Sequence, residues 1–251
     1  MNAIAKSPFV EHLVELRKRL MVACLVVLTG AVAAYVFKDA VFGFLVQPLV
    51  AAAGAPQTLI YTAVHELFFV YIKMAFFCGL FVGLPIVLWE IWSFVAPGLY
   101  QHERRVVAPF VAATPFLFYA GGAFMYFVVL PLAMDFFLAF QTADITALPS
   151  VKEYLAFLIK MLFAFGLAFE LPVLLLILMK FGVVSLKAVQ GFRRYAIVFI
   201  FIASALLTPP DPMSQLILAV PLIVLYELSI ILAKFMGIGK PNKKNEEKVT
   251  S

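Results

Sequence analysis

Long apolar runs separated by short polar intervals dominate the chain. Six can be read, over about 21–37, 67–92, 106–132, 154–179, 195–208 and 213–233. Runs of this length suit helices, not the shorter alternating strands of a membrane barrel. At ~1.5 Å per residue the fourth reaches ~39 Å, so it must tilt or project from a ~30 Å hydrocarbon core. The fifth reaches only ~21 Å. Gln215 and Glu227 interrupt the sixth near its two ends, leaving an apolar stretch of about eleven residues, ~17 Å. The pattern predicts an all-α polytopic membrane protein with six transmembrane helices, two of them short.

The stretch before the first run, SPFVEHLVELRKRL, has a different pattern. Phe9, Leu13, Leu16 and Leu20 recur at helical spacing among charged residues. Ser7 is a suitable N-cap and Pro8 a suitable first helical residue, which predicts an amphipathic helix over about 8–20. Glu15 precedes Arg19 by four positions, the favourable order for a helical ion pair. Glu11 and Glu15 also argue against a cleaved signal peptide ending near Ala31-Val32-Ala33, so the first run is read as a retained span.

Composition agrees with the pattern. Hydrophobic residues make up 65% and charged residues 13%, the latter about half the soluble average, so a water-soluble surface could not be covered. Fifteen of the nineteen Lys and Arg fall on one side of the alternating spans, leaving Lys38, Lys73, Lys152 and Lys160. Positive charge collects on the cytoplasmic side, which places both termini and the 93–105 and 180–194 intervals there. Residues 1–236 form one membrane domain; the polar tail over 237–251 is expected to be disordered.

No phosphate-binding loop, nucleophile elbow or metalloprotease helix motif occurs, so the chain is not expected to be an enzyme. Cys24 and Cys78 lie inside apolar runs and His12, His65 and His102 are scattered, so neither a metal nor a cofactor is expected. Nothing points to nucleic acid.

Five features stand out. In APGLYQHERR, Glu103 precedes Arg104 and Arg105 in a basic interval, with Phe94 just upstream. Glu15 is a second carboxylate on that face, and two carboxylates beside apolar groups suit a cationic ligand. Glu170 lies about 15 Å from Lys160 and from Lys180 along a helix. An acid at that depth costs several kcal/mol unless protonated or hydrated, about 2–4 kcal/mol on insertion scales, which marks it as functional. Pro172 follows and predicts a kink. TPPDPMSQ forms a tight turn between the last two runs, and Gly79-x-x-x-Gly83 allows close helix approach, within the chain or in self-association. Pro48 reads as a turn or helix end in the first outer loop.

Taken together, HLVELRKRL, FVAPGLYQHERR, FGLAFELPV and LLTPPDPMSQ resemble, in order, the signature stretches of the TatC family, receptor subunits of the twin-arginine protein translocase. The resemblance covers nearly the whole chain except its tail. It implies a concave, glove-like wall of six helices with cytoplasmic termini in the bacterial-type inner membrane. It implies recognition of Arg-Arg signal peptides, TatA- and TatB-type single-span partners, and export of folded proteins driven by the proton-motive force. By resemblance Glu103 binds the arginine pair, Glu15 and Phe94 join the same patch, and Arg17 and Arg105 shape it. Glu170 faces the concavity, and Pro48, Thr208, Asp211 and Gln215 occupy outer-side or partner-contacting positions. The competing reading is a proton-coupled transporter of a small solute that uses Glu170.

Overall fold

The computed structural model describes residues 8–53, 59–95, 101–142, 147–208 and 212–238. The side chains of Pro8, Phe9, Glu11, Val95 and residues 101–107 lie outside that description, as does the tail from 239 onward. The amphipathic segment and the first apolar run form one uninterrupted helix, α1 (Pro8–Val36). A single turn residue, Phe37, separates it from α2 (Lys38–Ala53).

Pro48 was expected in a turn or at a helix end, but it is buried inside α2. A proline there has no N–H to give the carbonyl four residues earlier, which is that of Phe44. The Tyr126 hydroxyl supplies the missing donor by bonding to the Phe44 carbonyl, and the two rings stack 4.6 Å apart. Tyr154 Oη donates to the next carbonyl, Leu45, at 2.7 Å. Two tyrosines from later helices thus pin α2 to the core.

The helix α3 (Glu66–Val95) is about 45 Å long at the standard rise, and α1 packs along it. A Cβ on Gly79 would stand 2.3 Å from the Ala31 nitrogen and 2.5 Å from the Val27 carbonyl oxygen. Only glycine allows that approach. The Gly79/Gly83 pair therefore serves packing within the chain, and α1 covers the Gly79 contact that self-association would need.

The third run is longer than its apolar stretch. It comprises α4 (Gln101–Phe124), a π-helical turn (Met125–Val129) and α5 (Leu130–Leu138) without a break. The turn contains Tyr126. The fourth run divides into α6 (Val151–Phe169) and α7 (Leu171–Lys180) at Glu170. Pro172 sits in the first turn of α7, where its missing N–H is harmless, so the expected interruption is present.

A short α8 (Leu186–Gly191) leads into α9 (Arg193–Leu207) and α10 (Pro212–Phe235). With 15 residues, α9 extends only ~22 Å. The sixth run was expected to be short as well; α10 has 24 residues and extends ~36 Å. Its two interrupting polar residues find partners on α9: Gln215 Nε2 donates to the Phe201 carbonyl at 2.9 Å, and Glu227 meets Arg193 at 2.7 Å. Neither has to end the helix.

Among the described residues, five helical segments are long and apolar enough to cross a membrane: His12–Val36, Glu66–Phe94, Ala108–Leu138, Val151–Lys180 and Pro212–Phe235. The main apolar core joins α2, α3, the π turn, α5, α6 and α10, and a smaller one joins α7, α8, α9 and α10. By contrast, α1 rests mainly on α3, and most of its apolar residues stay exposed, Val27 being the buried exception. This leaves α1 at one edge of the assembly.

Candidate functional site

At the basic side, the start of α1 meets the end of α3. His12, Glu15 and Arg19 repeat at three- and four-residue steps, which aligns them on one stripe. Glu90 and Phe94, four apart on α3, face that stripe. Arg19 Nε and Nη2 donate to one Glu15 oxygen at 3.0 and 2.5 Å, and Arg19 Nη1 donates to Glu90 at 3.2 Å. The other Glu15 oxygen lies 3.9 Å from His12 Nδ1. The His12 ring lies flat on Phe94, with centroids 4.2 Å apart. The result is two carboxylates sharing one guanidinium beside an aromatic plate.

Glu15 and Phe94 are thus neighbours of one side chain, His12. Glu90 was not singled out from the sequence. Its signal was available: an acid one helical turn before Phe94, on the same face. Arg17 does not join them. It is exposed, and two residues from both Glu15 and Arg19 turns it about 160° around α1. Glu103 and Arg105 were expected in a turn, but α4 begins at Gln101, so both belong to its first turns. Their side chains, and residues 96–100, lie outside the described residues.

The remaining candidates lie elsewhere. Glu170 sits at the α6–α7 junction beside Thr114 and the backbone of Phe118 on α4, with Oε1 buried and without a hydrogen-bond partner among the described residues. Thr208 is buried and its hydroxyl donates to the Ser204 carbonyl at 2.9 Å, closing α9. With the Gln215–Phe201 bond, it makes the α9–α10 corner an internally tied unit. Asp211 lies outside the described residues.

A second buried carboxylate was also missed. Glu66 Oε2, at the start of α3, accepts from Thr62 N–H and Oγ1 at 3.0 and 3.1 Å and from Ala63 N–H at 3.3 Å. Ser150 Oγ donates to Oε1 at 3.3 Å. The segment before α3 then pairs with the start of α6, with Ile60 N–H donating to Pro149 and Val151 N–H to Ile60. Glu66 thus ties the opposite side of the assembly together.

These features define an all-helical integral membrane protein with a polar cluster where α1 meets the end of α3; no group of three or more metal-binding side chains occurs among the described residues. The family model for the Sec-independent protein translocase protein (TatC) matches residues 11–221. A TatC protein of Magnetococcus marinus is 48% identical over 242 residues, covering 96% of this chain and 88% of that one. Its counterpart in Escherichia coli K12 is 36% identical over 246 residues, covering 98% and 95%. A crystal structure of the twin-arginine translocase receptor TatC superposes with a TM-score of 0.77 at 38% identity, covering 89% of this chain and 98% of that one. The chain belongs to the TatC family. Membership places it among the components of a protein translocase, a non-enzymatic transport family, and does not favour the small-solute transporter.

Proposed function

We propose that the chain is the receptor of a twin-arginine translocase, taking Arg-Arg signal peptides at the cytoplasmic ends of α1, α3 and α4. The observation that carries this reading is the Glu15–Arg19–Glu90 arrangement beside stacked His12 and Phe94. A carboxylate meets a guanidinium through parallel hydrogen bonds that an ammonium cannot reproduce, so such a site prefers Arg-Arg over Lys-Lys. Arg19 already sits there in the way a ligand arginine would. The two carboxylates give it a choice: it keeps Glu90 while releasing Glu15 to the incoming peptide. Phe94 offers an apolar contact to the signal's hydrophobic segment.

In this reading Glu103 binds the other arginine and Arg105 shapes the surface from the first turns of α4. The basic side is cytoplasmic, both termini lie there, the membrane is the bacterial-type inner membrane, and the short α9 serves as the fifth of six spans. Glu170, together with the short α9, hydrates or thins the bilayer beside the wall and so admits TatA- and TatB-type partners. Asp211 joins the outer corner made by Thr208 and Gln215.

The test is photocrosslinking from positions 94–105 to a twin-arginine signal peptide in membranes, with a Lys-Lys peptide as control. The Arg-Arg peptide should crosslink and the Lys-Lys peptide should not, and Glu103→Ala should weaken the product while insertion is kept. Wild-type crosslinking in Glu103→Ala would remove that residue from the site.

A further inference from the structure

Three of the four lysines on the side opposite the basic one, Lys73, Lys152 and Lys160, line a single groove of 610 Å³ between α3 and α6. All three are exposed. The fourth, Lys38, is engaged elsewhere, 4.9 Å over the Tyr71 ring. Among the described residues no carboxylate lies within ion-pair distance of the three. Glu66 also lines the groove, but its oxygens already accept from Thr62, Ala63 and Ser150. The floor is apolar, built from Phe69, Leu155 and Ile159 among others.

Depth decides what such a groove meets. At about 45 Å, α3 exceeds a ~30 Å hydrocarbon core by ~7 Å at each end when centred. Lys73 is seven residues from the start of α3, ~10 Å, so its Cα lies ~3 Å inside the core surface. Lys160 is nine residues from the start of the 30-residue α6–α7 span, which puts it ~6 Å inside by the same reckoning. Lysine stems reach that far, so the ammonium groups collect where lipid phosphates sit. Snorkelling alone accounts for separate lysines on separate faces. It does not account for three converging on one apolar-floored groove.

We infer that the α3–α6 groove is a binding site for an anionic phospholipid of the outer leaflet, its phosphate held by Lys73, Lys152 and Lys160 and an acyl chain laid on the Phe69–Leu155–Ile159 floor. Phosphate is the negative group present at that depth, and the groove matches both halves of the molecule.

The test is native mass spectrometry of the full chain released from nanodiscs of equal phosphatidylglycerol and phosphatidylcholine. The wild type should retain phosphatidylglycerol at least about tenfold over phosphatidylcholine. Each single Lys→Gln substitution should cost about fivefold, the effect of one basic group at a lipid surface. The triple variant K73Q/K152Q/K160Q should retain the two lipids equally, and K73R/K152R/K160R should restore the preference. Thermal unfolding of each variant checks that the fold persists. K187Q, on the basic side, should change nothing. Equal retention by the wild type, or an undiminished preference in the folded triple Gln variant, overturns the proposal. So does capture of a carboxylate-bearing transmembrane peptide in place of phosphatidylglycerol.

Discussion

Tyr126→Phe tests the account of Pro48 directly. In α2, Pro48 leaves the Phe44 carbonyl without its helical donor, and the Tyr126 hydroxyl takes that place. Tyr126 is buried, 6% exposed, so water does not readily replace the lost hydroxyl. Removing one partner of a buried hydrogen bond costs about 1–3 kcal/mol, because the other is left unsatisfied. For a chain of this size that lowers the Tm by about 2–10 °C. The ring is retained, so its stacking on Phe44 is not the cause. The assay is thermal unfolding in mild detergent for four proteins: wild type, Tyr126→Phe, Pro48→Ala and the double variant. Alanine at 48 restores an N–H that Phe44 can accept. Tyr126→Phe should then cost much less in the Pro48→Ala background, with a coupling of about 1 kcal/mol. An equal cost in both backgrounds would refute the idea that the tyrosine exists to serve the carbonyl that proline orphans.

Other expectations follow from the same geometry. Glu90→Gln leaves Arg19 with Glu15 alone, so a signal peptide must compete harder; its affinity should fall about two- to fivefold, the range of a partly exposed pair. The drop should vanish in an Arg19→Gln background, and fluorescence anisotropy with a labelled twin-arginine peptide would read both. Gly79→Val drives a side chain into the α1 backbone and should abolish monodisperse elution in mild detergent. Gly43→Val, where nothing lies within 4 Å, should elute normally. Glu66→Ala removes the acceptor of four hydrogen bonds and should expose the 59–65 segment to limited proteolysis, which would be seen as a new cut on gels.

Much of this protein is readable along the chain because the bilayer imposes a local test. Each segment is apolar for long enough or it is not, and Lys and Arg sort the intervals between them. That is why five long apolar helices, the break before Pro172 and the shortness of α9 were legible, and why the motifs pointed to the family. The misreadings share one cause. Pro48 looked like a breaker and Gln215 and Glu227 looked like interruptions, because their compensating partners are far away in sequence. Tyr126 completes the helix around Pro48 across more than seventy residues. Phe201 and Arg193 satisfy Gln215 and Glu227 from the neighbouring helix. Glu90 became part of the candidate site only when α3 was laid against α1, and three scattered lysines became a groove only when α3 met α6. Sequence alone marked which segments are apolar enough to enter a membrane, since transfer free energy is summed residue by residue. Tertiary structure decided which polar groups inside those segments are satisfied and which remain free to bind, since a hydrogen bond or ion pair needs a partner at about 3 Å that no single segment supplies.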